Sequence, residues 1–434
     1  MKGGVKVKSK KLAYKKILVL FCIIAVLVLM TGCDGNKPIV LFFFALPTTI
    51  DLGESSTLFW AVGDADTVSI IPGGFVGSSG DMDVYPVENT EYTLIATNIA
   101  GSVSATFTIY LYPVHNLTKD TYYKTIQAAL DGASDDNIIE VGNGFYDEII
   151  CFPSNKKIIL QSKNGPGATI IRGDENSFTV KLDNSLPGTT IKGFTITHDV
   201  WTSGGGIFND GGNLTIDNCI ISDNAASSGG GIYNTGTLII KGESEVIDNT
   251  ADQGGGIYNL VGTLTIEGAS IISCNKANKY GGGIRDTEGT LIITGKSTVS
   301  DNNAASSGGG IYLLNVSTPG PTKTITACTI SGNSAGKDGG GIFIDGGLLP
   351  TITACTISGN SAGKDGGGIF IYGDTSYILP ITTLGGSSGA EKNTICGNYK
   401  SSNSPSLDQQ IRDSSYDLSD IYKYTNHIYA KCEF

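Results

Sequence analysis

The chain has 434 residues, 60 of them glycine, and carries 29 basic against 41 acidic side chains for a formal charge of −12. Its arginines are Arg172, Arg285 and Arg412, and an acidic surface so poor in arginine argues against nucleic acid or anionic lipid as a partner. Length and glycine content leave room for more than one unit and disfavour a helical bundle.

From the start, Lys2, Lys6, Lys8, Lys10, Lys11, Lys15 and Lys16 precede an apolar run from Ile17 to Met30. That run is short for a membrane span and has the shape of a secretory signal. It closes on Leu29-Met30-Thr31-Gly32-Cys33, which resembles the lipobox of bacterial lipoproteins, with Met and Thr as looser choices. The resemblance implies a signal over 1–32, lipidation of Cys33, a linker over 33–37, and an exported chain anchored to the cell envelope. Removing the seven lysines of that signal takes the charge from −12 to −19.

Residues Pro38–Tyr112 contain alternations such as Leu58, Trp60, Val62 and Val103, Ala105, Phe107, Ile109, Leu111, with turns at Gly63-Asp64, Pro72-Gly73-Gly74 and Asn98–Gly101. Short strands at this spacing predict a β-sandwich over 38–112. The phrases Gly53–Leu58 and Thr90–Leu94 resemble bacterial immunoglobulin-like domains, with Tyr92 in the place of a tyrosine corner. Pro113–Asp120 reads as a linker, and Tyr122–Gly132, with Ile126, Ala129 and Leu130 on one face, as a helix capping the repeats beyond it.

The rest of the chain is periodic. Gly-Gly-Gly-Ile occurs at Gly204–Ile207, Gly229–Ile232, Gly254–Ile257, Gly281–Ile284, Gly308–Ile311, Gly339–Ile342 and Gly366–Ile369, in steps of 25, 25, 27, 27, 31 and 27 residues. Thr324–Ile344 and Thr351–Ile371 are identical. Such a period means stacked units, none of which buries its own apolar face. Each contains three short apolar runs, for example Ile232, Leu238 with Ile240, and Ser244 with Val246, so a three-stranded β-coil is expected. Aligned coils give an Asn column, Asn224, Asn249, Asn275, Asn302, Asn333 and Asn360, suited to side-chain bonds along the stack. After each Gly-Gly-Gly-Ile stands Phe208, Tyr233, Tyr258, Arg285, Tyr312, Phe343 or Phe370. Because Arg285 does not suit a dry interior, this column is expected to face outward as a row of exposed rings about 4.8 Å apart.

These runs, with Ile-Ser-Gly-Asn at Ile330–Asn333 and Ile357–Asn360, resemble the repeats of polymorphic outer-membrane proteins, with Gly where that family commonly has Ala. More broadly, residues 118–400 resemble the pectin-lyase-like right-handed parallel β-helix proteins. The stretches Tyr123–Leu130 and Ile139–Glu148 are similar to the opening of many of them. The expected fold is therefore all-β, a right-handed parallel β-helix behind an immunoglobulin-like sandwich, with 401–434 as a C-terminal cap.

Candidate chemistry is sparse. No carboxylate column is apparent in the repeats, and no dinucleotide or phosphate fingerprint predicts a cofactor. Asp338 and Asp365, on identical coils beside Lys337 and Lys364, are the nearest thing to a cation site. His198, Asp199 and Asp210 are the best catalytic candidates. Cys219, Cys328 and Cys355 fall in an interior column with Ser244, Ser270 and Ser297, whereas Cys151, Cys274, Cys396 and Cys432 cannot be paired from sequence. Two functions stay open. One is a non-catalytic surface lipoprotein whose aromatic column, Tyr233, Tyr258, Arg285, Tyr312, Phe343 and Phe370, binds a polysaccharide, host surface or matrix, as the polymorphic-protein resemblance implies. The other is a polysaccharide lyase or glycoside hydrolase, as the wider resemblance allows.

Overall fold

The computed structural model describes residues 37–372 apart from 51–52, 112, 174–176, 184–187, 199–204, 315–320 and 347–349, together with strands at 394–396, 399–400 and 411–413. The signal and Cys33 lie outside the described residues. No described helix is long and apolar enough to cross a membrane. The chain divides into two compact units, with the boundary between Pro113 and Val114.

The first unit holds two sheets. Ile39–Leu46, Ser56–Gly63 and Ser79–Val84 form one, and Thr49–Ile50, Gly101–Leu111, Thr90–Asn98, Thr67–Ile71 and Gly74–Val76 form the other, in those orders. Leu58 and Trp60 from the first and Ile70, Leu94 and Ile109 from the second meet in one core, so the alternating residues make a sandwich. Tyr92 is buried in it, and burial raises its phenol pKa.

The second unit is the solenoid, and it begins earlier than the repeats suggest. Val114–Asn116 is no linker: it pairs antiparallel with both Asn137–Val141 and Thr121–Tyr123, covering the edge of the first coil. The expected helix is shorter, Ile126–Asp131, with Thr125 as N-cap and Ile126, Ala129 and Leu130 buried. Glu148 completes the cap, its carboxylate accepting the amides of Ile126 and Gln127 at 3.0 Å each.

Each later coil has four strands rather than three. In one coil these are Thr237–Lys241, Glu245–Ile247, Thr250–Gln253 and Ile257–Leu260, each pairing in parallel with its counterparts before and after. The short third strand is polar and alternates little, so hydrophobic periodicity does not announce it. Ile232, Leu238, Ile240, Ser244 and Val246 all face the interior. The stack also runs past residue 400: Ile411–Asp413, within the stretch expected to be a cap, pairs with Ile369–Ile371.

Triple glycine has a steric cause. A Cβ on the middle glycine of a triplet would meet carbonyl oxygens of the following coil, as at Gly282, where Asn303 O would lie 2.5 Å away and Gly309 O closer still. The first glycine has positive φ, for example +66° at Gly281.

Candidate functional site

The Asn column is continuous. Each Nδ2 donates to the Oδ1 of the next coil, from Asn224 to Asn249 at 2.9 Å and from Asn249 to Asn275, Asn275 to Asn302, Asn302 to Asn333 at 3.0 Å, then Asn333 to Asn360 at 2.9 Å. Each of these Oδ1 atoms also accepts the backbone N–H of the preceding Asn, as Asn302 Oδ1 does from Asn275 at 3.0 Å.

A second ladder went unread in the sequence although its signal was there, two residues after each Gly-Gly-Gly-Ile. Asn209 donates to Asn234 at 2.7 Å, Asn234 to Asn259 at 2.6 Å, and Asn259 to Asp286 at 2.7 Å. From Leu313 the column turns apolar, with Ile344 and Ile371. Because every rung donates toward the next coil, the first carbonyl of each ladder lacks a donor, and Asn209 Oδ1 and Asn224 Oδ1 are buried without a partner.

The aromatic column departs from expectation. Tyr312, Phe343 and Phe370 are only 6–7% exposed, and Phe208, Tyr233, Tyr258 and Arg285 are half-buried. The reason is the coil spacing: at a centroid separation of 4.9 Å Tyr312 lies flat on Phe343, and Phe343 on Phe370 at 5.3 Å, so each ring hides its neighbour's face. Phe208 stacks on Tyr233 at 5.3 Å, while Tyr258 turns edge-on to Tyr233 at 5.5 Å. Arg285 fits this row because its planar guanidinium substitutes for a ring, 5.3 Å from the centroids of Tyr258 and Tyr280 and 5.5 Å from that of Tyr312. Burial, then the Asp345 carboxylate that its hydroxyl bonds at 2.7 Å, push the Tyr312 pKa up. Burial likewise raises Tyr233. What remains for a ligand is the edges of the rings and the faces left by the Tyr233–Tyr258 turn.

His198 does not face solvent but is 4% exposed, at the end of Thr195–His198. With Thr197, Asp223, Asn224, Asp248 and Thr250 it lines a cleft of about 260 Å³. Partial burial and then the Asp223 charge raise the Asp248 carboxyl pKa. Asp199 lies outside the described residues. Asp210 is not among the cleft residues and accepts from the Thr235 hydroxyl at 3.0 Å. Asp223 and Asp248 belong to a turn column with Cys274 and Asp301, all at φ between 56° and 58°. The repeats therefore do carry a partial carboxylate column, visible as the residue before each ladder Asn. Asp is one of the few side chains that tolerates this backbone, which accounts for the column without any ligand.

Asp338 and Asp365 do stack, but Asp338 Oδ1 accepts the Asp365 amide at 3.1 Å, a role in the turn. Among the described residues no group of three or more His, Cys, Asp or Glu side chains is placed to hold a metal ion. Cys219, Cys328 and Cys355 are buried and Cys151 and Cys274 exposed, all as free thiols. Burial pushes the Cys219 thiol up to about 11. Cys328 and Cys355 Sγ lie 3.3 Å apart across two coils.

Coils in parallel register, stacked on one apolar interior and capped by a helix, define a β-helix protein. The family described as "Right handed beta helix region" matches residues 88–382, more than half of the chain, and the chain belongs to that family. The match opens just before the sandwich strand Thr90–Asn98, ahead of the solenoid's first strand. Among curated proteins the chain is similar to "Probable pectinesterase/pectinesterase inhibitor 64" of Arabidopsis thaliana, 32% identical over 114 residues. That similarity covers 24% of this chain and 16% of the relative. No solved structure matches.

Proposed function

We propose that this protein is an exported lipoprotein whose solenoid binds an extended polysaccharide on a cell surface or matrix without cleaving it. The observation that carries the reading is the half-buried run Phe208, Tyr233 and Tyr258, ended by Arg285: ring edges at one-coil intervals, held by a rigid scaffold and so recruited at little entropic cost. Near-uniform coils favour display over catalysis, because a reaction centre needs a few coils to differ from their neighbours. The resemblance to polymorphic outer-membrane protein repeats points the same way.

The double variant Tyr233→Ala with Tyr258→Ala tests it. On a glycan array, the purified protein is expected to lose at least about tenfold in affinity for its best glycan while keeping its circular dichroism spectrum, the scale of one or two lost stacking contacts. Unchanged binding with a lowered melting temperature makes the column purely structural. Anchoring is a separate matter: Cys33→Ala is expected to move the protein from the membrane to the soluble fraction or leave its signal uncleaved. Unaltered detergent partitioning and processing would remove the lipoprotein.

A second reading rests on the cleft. A buried His lining one cleft with two carboxylates, one with a raised pKa, has the composition of an acid–base site for a glycosidic bond. Release of reducing or unsaturated sugar ends by the protein, abolished in Asp248→Asn, would decide for it.

A further inference from the structure

The second ladder ends on a lysine inside the solenoid. Lys323 opens the strand Lys323–Thr326 in the column where earlier coils carry Leu214, Leu238, Leu264 and Leu291, and it pairs in register with Leu291. Its side chain is 1% exposed, and that of Asp286 is fully buried. Lys323 Nζ is in direct contact with Asp286 Oδ2 and donates to Gly289 O at 2.9 Å. Asp286 Oδ1 accepts from Asn259 Nδ2 at 2.7 Å. Leu264 and Leu291 precede Lys323 in its column, and Ile293 and Ile325 pair two residues further along the same strands, all fully buried.

An ion pair here is expensive. Leucine would continue the Lys323 column and leucine or isoleucine the Asp286 column, as Leu313 and Ile344 do one and two coils later. Replacing such a pair by apolar residues is often neutral or stabilising, so burial alone does not account for it. Condensation begins with one proton passing from the ammonium to the carboxylate across the contact, which replaces two charges in an apolar interior by a neutral amine and a carboxylic acid. Burial raises the Asp286 pKa against the opposing pull of Lys323 and Asn259, and the neighbouring Glu288 charge acts in the same direction as burial.

We propose that Lys323 and Asp286 condense into an intramolecular amide that bolts the strand Ile284–Thr287 to Lys323–Thr326. The neutral amine's lone pair attacks Asp286 Cγ. The Nζ–Cγ bond forms, the Cγ–OH bond breaks, and the hydroxyl leaves with a proton from the nitrogen as one water molecule. No oxidant, metal or cofactor enters the balance. Asn259 Nδ2 already points at the oxygen that bears negative charge in the tetrahedral intermediate, and Gly289 O holds one N–H and so orients the nitrogen. Two groups fixed in contact react at effective concentrations of about 10⁵ M or more, which together with expulsion of water from an apolar site drives the condensation. Lys323 falls within the longest repeat step, the 31 residues from Gly308 to Gly339.

Tryptic mass spectrometry of the folded full-length chain, denatured before digestion, tests this independently of any ligand. The expected product is a branched species, Asp286–Lys296 joined to Ser297–Lys337 with no cleavage at Lys323, about 18 Da lighter than its two parts. Recovery of Asp286–Lys296 and Ser297–Lys323 as separate peptides of full mass would overturn the proposal and leave a buried ion pair. Lys323→Arg keeps a cation but removes the nucleophile, and the branched species should vanish. A loss of water at Asp286 that persists in that variant would mean cyclisation on the main chain, and would overturn the proposal as well.

Discussion

Gly282→Ala is expected to lower the stability of the solenoid by more than about 3 kcal/mol, or to prevent folding, although it adds a single methyl group. The new Cβ would press on Asn303 O at 2.5 Å and on Gly309 O, both backbone atoms of the next coil. Neither can retreat without parting the ladder in which Gly282 N–H donates to Gly308 O at 3.0 Å and Gly283 N–H to Gly309 O at 3.2 Å. The matched control is Gly167→Ala, where a Cβ would meet nothing within 4 Å. It is expected to change stability by no more than about 0.5 kcal/mol, since it also restricts the unfolded chain. Thermal melts of the two variants read the difference, and similar midpoints would show that the triplets are not set by close approach between coils.

Asn302→Ala is expected to cost about 3 kcal/mol. Its side chain serves four bonds: Oδ1 accepts the Asn275 N–H and Nδ2, and Nδ2 donates to Ile272 O at 2.8 Å and to Asn333 Oδ1. Truncation leaves these partners buried, and each unpaired polar group costs about 1–3 kcal/mol before relaxation recovers part of it. Asn143→Ala is the comparison, because Asn143 accepts from Asn164 at the surface, where water can replace the bond. Equal melting shifts for the two would mean that the inner ladder contributes nothing specific. Both glycine and asparagine effects are expected to be local in origin and to spread through neighbours, as a stack of nearest-neighbour units requires.

The repeat period by itself determined that this chain is a stack of parallel β-coils, because a unit of 25–31 residues with glycine triplets and short β-branched runs cannot close its own core. The interior Ile column, the stacking of Asn224 through Asn360 and the capping face Ile126, Ala129 and Leu130 were legible for the same reason: in-register stacking turns sequence periodicity directly into neighbours. Tertiary structure alone decided the rest. Whether Tyr312 or Phe343 is exposed depends on ring orientation in the next coil, and at 4.9 Å separation the rings cover one another. His198 stands two residues after Ile196 as Asp223 does after Ile221 and Asp248 after Val246, so the three share one column, but whether that column lines a cleft depends on the turn geometry. The cleft also depends on a left-handed turn that Asp tolerates and a hydropathy pattern does not register. Asp286 and Lys323 lie 37 residues apart, which no repeat step matches, and they meet because one side chain points inward from each of two different sheets. Periodicity predicts contacts along a column. Contacts across the interior depend on the coil's cross-section, which the chain acquires only when it closes.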